Sequence, residues 1–137
     1  MLPISPGAVV EWGERRTAEV ATAAELDEAL AQAAAEARDR GAPQAVELAG
    51  VGDGGRFSVV VGSDRSFVSH VPADGDPPYF ASVGNEDEDR PFTFYVYGHH
   101  HTEVAWRNTV APEEAFAAAR HFVQTGELDA RLRWEDT

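Results

Sequence analysis

The sequence predicts an α+β fold, a two-layer sandwich in which an antiparallel β-sheet has two main helices packed on one face. Two segments carry apolar residues at the three- and four-residue spacing of an amphipathic helix. Between them, short runs of alternating apolar and polar residues are separated by turns rich in Gly, Pro and Asp. This order favours helices on one face of an antiparallel sheet. A length of 137 residues is typical of one domain, so we expect a single domain over residues 1–137.

The first helix is the element that the local sequence predicts most clearly. Thr22 can cap it, and Glu25 three residues later completes a capping-box pattern. Gly41 predicts its end, because glycine readily takes the left-handed conformation that follows many helices. The apolar stripe of this helix consists of Leu26, Ala29, Leu30, Ala33 and Ala37.

A meander of short strands is predicted after this helix, because the spacing of apolar residues changes to alternation. The turn at residues 62–65 predicts one hairpin, and the turn at residues 98–101 predicts a second. Further turns are expected at 14–16, 50–55 and 84–90. The predicted strands of the whole chain span residues 8–12, 17–21, 45–48, 57–61, 66–71, 79–83, 92–97, 102–106 and 131–134.

The second helix is expected to begin at Pro112, a residue type favoured in the first helical turn. Glu113 and Glu114 follow at the end of the helix where its dipole is positive. Gly126 predicts the stop. The apolar stripe of this helix consists of Ala115, Phe116, Ala119, Phe122 and Val123.

The chain is strongly acidic, with a net charge of -13 from 24 acidic residues and 11 basic residues, all of them Arg. This charge repels nucleic acid and anionic membranes and speeds association with a basic partner, so no direct nucleic-acid or membrane partner is expected. The absence of cysteine excludes disulfides and thiolate metal sites. No apolar run reaches the length of a membrane span, and the N-terminus does not resemble a secretory signal. These two features favour a cytoplasmic protein.

Four consecutive carboxylates occupy residues 86–89, in a predicted turn flanked by Gly84 and Pro91. Carboxylates that catalyse proton transfer need burial, which an exposed turn does not provide. The run also lacks the alternating ligands and the glycine of a calcium-binding loop. Two interpretations remain open: a solvated loop, or a surface that recognises basic groups on a partner.

The strand before the second hairpin turn alternates, with Phe92, Phe94 and Val96 on one face and Tyr95 and Tyr97 on the other. If the apolar set faces the helices, both tyrosines face outward. Exposed tyrosine beside acidic residues is typical of protein-binding surfaces. The tyrosine face is therefore a candidate interface.

The second hairpin turn contains three consecutive histidines at residues 99–101. On an extended segment His99, His101 and Glu103 share a face, and side chains of these types can bind zinc. Under this interpretation the chain is a small metal-dependent enzyme. The same histidines could instead form an exposed polar turn or contact a protein partner.

The C-terminal third carries a more specific combination of motifs, at residues 103–115, 118–127 and 132–135. A Pro-x-Glu helix start begins at Pro112, a Phe-x-x-Thr-Gly helix end begins at Phe122, and Trp134 is followed by an acid. This pattern resembles the first-numbered immunity-protein family of bacterial polymorphic toxin systems.

The resemblance implies an α+β antitoxin that is encoded beside a toxin, acts in the cytoplasm, and neutralises the toxin by tight binding without catalysis. Toxins of such systems are frequently nucleic-acid deaminases or nucleases, and enzymes that hold phosphates need cationic surfaces. The resemblance also implies that Phe122, Gly126 and Trp134 are determinants of the fold.

The leading hypothesis is therefore an immunity protein that occludes the active site of a cognate toxin with a basic surface. It requires no catalytic residue, cofactor or metal. A small metal-dependent enzyme and a generic regulatory binding module are the alternatives. The predicted partner-binding residues are Glu86, Asp87, Glu88, Asp89, Tyr95, Tyr97, His99, His101 and Glu103.

Overall fold

The computed structural model describes residues 8–13, 16–49, 52 and 54–137. The predicted turns at 14–16 and 50–55 lie partly outside the described residues. The helices are α1 (Ala23–Arg40) and α2 (Pro112–Thr125), and a short 3₁₀ turn spans Trp106–Asn108. The strands are β1 (Ala8–Trp12), β2 (Arg16–Val20), β3 (Gln44–Ala49), β4 (Arg56–Val61), β5 (Val68–Val71), β6 (Phe80–Val83), β7 (Pro91–Val96), β8 (His100–Ala105) and β9 (Arg133–Asp136).

Seven strands form one antiparallel path in the order β2-β1-β3-β4-β5-β6-β9. The remaining strands, β7 and β8, pair with each other as an antiparallel hairpin. Among the described residues, this hairpin joins the sheet through one parallel bridge between Gln44 and Tyr95, where Tyr95 N donates to Pro43 O at 2.9 Å. The predicted α+β class with an antiparallel sheet is confirmed.

Helix α1 begins and ends as its sequence predicts. Thr22 Oγ1 accepts a hydrogen bond from Glu25 N at 3.1 Å, and Glu25 Oε1 accepts one from Ala21 N at 2.9 Å. The first bond satisfies an amide of the first helical turn that has no partner inside the helix, and the second holds the residue that precedes the cap. Gly41 follows the helix with φ 68, in the left-handed region.

Both helices pack on the same face of the sheet and enclose a large hydrophobic cluster. Phe122 of α2 is fully buried and stacks on Phe57 of β4, with ring centroids 5.0 Å apart. Trp134 of β9 meets the Phe57 ring edge-on at 6.3 Å. Gly126 ends α2 with φ 75. These three residues of the family motif therefore have the structural roles that the resemblance implied.

The β7–β8 hairpin covers part of the opposite sheet face, where Phe92 and Phe94 pack in a second hydrophobic cluster. The condition that this apolar set faces the helices is therefore not met. Strand β3 already pairs with β1 and β4, so β7 meets it only at Gln44, and the hairpin folds across the face that the helices leave open. Tyr95 is half-buried and Tyr97 is exposed.

Every predicted strand except the first shifts by one or two residues at one or both ends, and two of these shifts change the description of the molecule. The last strand begins at Arg133 and not at residue 131, because the buried Asp129 carboxylate holds Arg131 in a turn with Nη2 and Oδ2 2.7 Å apart. Strand β8 begins at His100, which shortens the predicted turn at 98–101 to residues 97–99. No helix in the described part of the chain is long and apolar enough to cross a membrane.

Candidate partner-binding site

All nine predicted contact residues lie on the β7–β8 hairpin, on its turn, or on the acidic loop that leads into it, which we define as residues 84–90. The hairpin has six residue pairs, from Pro91 opposite Ala105 to Val96 opposite His100. At about 3.4 Å per residue it is roughly 17 Å long. The predicted site is therefore one strip with the acidic loop at its base and the tyrosine and histidine turn at its tip.

The four carboxylates of the acidic loop are not equivalent. Glu86 Oε2 accepts a hydrogen bond from Trp106 Nε1 at 2.6 Å, and Glu88 Oε2 lies 2.8 Å from Arg90 Nε. Asp87 and Asp89 are exposed and have no hydrogen bond or ion pair with any other described residue through their carboxylates. The loop therefore uses two of its acids to hold its own shape and presents the other two to solvent.

Trp106 fixes the conformation of the acidic loop. The Arg90 guanidinium carbon lies 3.9 Å from the Trp106 ring centroid, a close cation–π contact, and Phe92 meets the ring edge-on at 5.9 Å. The backbone adds two hydrogen bonds, from Trp106 N to Arg90 O at 2.8 Å and from Arg107 N to Glu88 O at 2.9 Å. Asp87 and Asp89 are thus carried by an anchored segment.

The loop begins with a close approach of two backbone segments. Gly84 N donates to Arg107 O at 2.8 Å, and a β-carbon at Gly84 would overlap the carbonyl oxygen of Thr109. Only glycine allows this contact, so Gly84 sets the point at which the acidic loop leaves the sheet.

The outer face of the hairpin brings three predicted residues together. The Tyr95 and His101 rings meet edge-on at 5.8 Å, and His101 Nε2 lies 3.4 Å from Glu103 Oε2. His99 lies in the turn and is not on the strand. Within the described ranges, no group of three His, Asp or Glu residues has the arrangement of a metal site. The structure therefore provides no observation that favours the metal-dependent enzyme.

Tyr97 at the hairpin tip has an unusual backbone conformation. Its φ is 54 and that of Gly98 is 84, so both residues lie in the left-handed region of backbone conformations. Tyr97 is the one non-glycine residue with positive φ in the described part of the chain, and its side chain is exposed. The left-handed conformation costs a residue such as tyrosine about 1–2 kcal/mol. Strain of this kind is typical of functional positions.

The strained tip leads to a prediction for Tyr97→Asn. We expect this variant to be more stable by about 1 kcal/mol, because Asn adopts the left-handed conformation more readily than Tyr and the lost ring is half exposed. Urea unfolding measures the difference. The control is Tyr95→Asn, which we expect to destabilise the protein because Tyr95 lies in β7 with ordinary φ. If Tyr97→Asn is less stable than the parent, the packing of the Tyr97 ring contributes more stability than the backbone strain at this residue costs.

Most of the chain matches a known protein family. The family model for immunity protein Imm1 matches residues 14–136. The chain belongs to the Imm1 family. Imm1 proteins are immunity proteins of toxin systems, and the match runs from β2 to β9, so it includes the complete hairpin and acidic loop. No curated protein matches the chain at a significant level.

The acid that follows Trp134 has a structural role in this Imm1 chain. Glu135 Oε1 accepts a hydrogen bond from Asn108 Nδ2 at 2.7 Å, and Glu135 Oε2 lies 3.0 Å from Arg107 Nη1. Asn108 Nδ2 also donates to Ser82 O at 2.9 Å. We call Arg107, Asn108 and Glu135 the clasp, because they join the 3₁₀ turn after β8 to strands β6 and β9. Sequence reasoning missed Arg107 and Asn108, although both lie inside the motif at residues 103–115.

The clasp predicts a pH dependence of stability. The hydrogen bond from Asn108 and the bond and charge of Arg107 hold the pKa of Glu135 below its ordinary value. A lowered folded pKa adds stability that is fully present above the unfolded pKa of about 4.3 and is lost as the pH falls through the folded pKa. We therefore expect Glu135→Gln to be less stable than the parent at pH 7, with a difference that shrinks below about pH 4.

Urea unfolding of both proteins between pH 7 and pH 3 measures this difference. The matched control is Glu127→Gln, since the exposed Glu127 carboxylate makes no hydrogen bond or ion pair with the described residues. A gap between Glu135→Gln and the parent that stays constant down to pH 3 would contradict the role of the charged clasp.

Proposed function

We propose that this Imm1 chain binds a cognate protein toxin in the cytoplasm and neutralises it by covering the toxin's active site, without catalysis of its own. The toxin is a nucleic-acid deaminase or nuclease with a basic surface. Membership of the family supports an immunity role. The surface of the chain supports binding to a partner with a basic surface.

The observation that carries the proposal is the pair of free carboxylates on an anchored loop. Asp87 and Asp89 extend from a segment fixed by Trp106 in a chain of net charge -13. An enzyme that acts on nucleic acid holds phosphates with Arg and Lys around its active site. An acidic inhibitor is steered to that cationic surface and competes there with the substrate.

The size of the strip fits an inhibitory interface. A standard interface buries roughly 800 Å² on each partner, which is about one ninth of the 7229 Å² surface of this chain. The acidic loop and the outer face of the hairpin can supply an area of that order. Tyr95 and Tyr97 then act as aromatic anchors at the tip of the strip, at the end opposite the charged base.

The test starts with co-purification of a tagged copy from its native host and mass spectrometry of the bound proteins. We expect a toxin domain in a one-to-one complex, and we expect one equivalent of the chain to abolish the toxin's activity on its nucleic-acid substrate. Excess substrate should slow formation of the complex if the active site is covered. If no toxin domain is retained, or if the bound toxin remains active, the proposal is wrong.

A further inference from the structure

A groove of about 550 Å³ lies between the β7–β8 hairpin and the sheet face that the helices leave uncovered. Val60 and Ala81 of the sheet are in its lining, and Thr102 and Val104 of β8 line the hairpin side. The three residues of the clasp also line the groove, and their polar groups are already bonded to one another. The volume is in the range of sites that bury a ligand or an inserted side chain.

Strand β8 borders this groove and has an unpaired edge. Among the described strands it pairs with β7 alone. Alternate backbone amide and carbonyl groups of an edge strand point away from its neighbour and can pair with another chain. Natural edge strands are commonly protected by Lys or Pro, and β8 contains neither. By contrast, β9 at one end of the sheet has only four residues, and three of them are charged.

If a strand of another chain paired with the free edge of β8, the direction of the β8 side chains would determine the contacts of that added strand. Residues of an added strand opposite Thr102 and Val104 would point to the same face, into the groove. Residues opposite His101 and Glu103 would point to the outer face, beside the Glu103 carboxylate. Apolar residues therefore suit the positions of the added strand that point into the groove. Arg or Lys suits the positions that lie beside the Glu103 carboxylate. Asp87 and Asp89 add negative charge at the base of the same hairpin.

We propose that the toxin contributes an extended segment with alternating apolar and basic residues, which pairs with the free edge of β8 and inserts its apolar side chains into the groove. This inference rests on the proposed function and adds the mode of binding to it. Backbone hydrogen bonds along β8 supply affinity, and the groove and Glu103 select the side chains.

Amide hydrogen exchange of the full chain, alone and with the co-purified toxin domain, tests the pairing. We expect the outward amides of residues 100–105 to exchange about tenfold more slowly, or slower still, in the complex. The edge strand β2 provides an internal control whose amides should be unchanged. A complex that forms without protection of β8 overturns this inference and leaves the proposed function intact.

A matched pair of variants provides a second test. Thr102→Lys places a charged chain at the wall of the groove, whereas Thr17→Lys makes the same change on the exposed edge of β2. We expect Thr102→Lys to weaken toxin binding by about tenfold or more and Thr17→Lys to have less than about a twofold effect. If Thr102→Lys and Thr17→Lys weaken toxin binding equally, the inference is wrong.

Two further outcomes would contradict the pairing of the toxin with β8. Protection of β8 in the free chain that increases with protein concentration would show that a second copy pairs with this edge, and it would overturn the inference. If no toxin domain binds at all, the proposed function fails, and the inference falls with it.

Discussion

Reversal of the two free charges of the acidic loop, Asp87→Lys with Asp89→Lys, is expected to slow association with the toxin by about 10- to 100-fold at low salt. Electrostatic steering typically raises association rates by about 10- to 1000-fold. Charges at the rim of an interface act mainly on the association rate and its salt dependence. Asp87 and Asp89 are the acids of this loop whose carboxylates make no hydrogen bond or ion pair with a described residue, so they contribute most to the field that a basic partner meets.

Stopped-flow association at several salt concentrations measures this effect. The rates of the parent and the variant should converge at about 1 M salt, where the screening length falls to about 3 Å. The control is Asp74→Lys with Asp76→Lys, which makes the same change of net charge at exposed positions between β5 and β6. If both double variants slow association equally, only the net charge matters and the acidic loop is not part of the interface.

The elements that sequence reasoning predicted best are those with local causes. The start and end of α1 depend on Thr22, Glu25 and Gly41, which act within one or two turns of the helix. The alternation in β7 also showed that Phe92 and Phe94 share a face. Which side of the sheet that face meets depends on the pairing of β3 with β1 and β4, and these contacts are distant in sequence.

Contacts between residues distant in sequence also limited the prediction of the candidate site. The acidic run could be recognised as a unit, but its division into bonded and free carboxylates depends on Trp106, which lies 20 residues beyond Glu86. The clasp joins Arg107 to Glu135 across 28 residues. The strain at Tyr97 arises from a turn that begins one residue earlier than the turn predicted at 98–101. Side-chain partners far apart in sequence follow from the folded arrangement and not from local patterns.

Replacement of Phe122 by alanine is expected to lower the free energy of unfolding by about 3–5 kcal/mol. Phe122 is fully buried, stacks on Phe57 at 5.0 Å and meets the His70 ring edge-on at 5.7 Å. Removal of its ring leaves a cavity between α2 and the sheet, which the surrounding strands cannot close without losing their own contacts. Urea unfolding measures the change, and Phe116→Ala, at a half-buried position on the same helix, should cost less.

The same variant separates stability from recognition. Phe122 packs in the cluster on the helix-covered face, whereas the β7–β8 hairpin packs in the cluster on the other face. The association rate per folded molecule should therefore stay within about twofold of the parent, even though a domain with a typical stability of about 5–15 kcal/mol loses a large share of it. Protection against the toxin in cells would then fall because less folded protein is present. A slower association per folded molecule would show that the helix-covered face takes part in binding, contrary to the proposed interface.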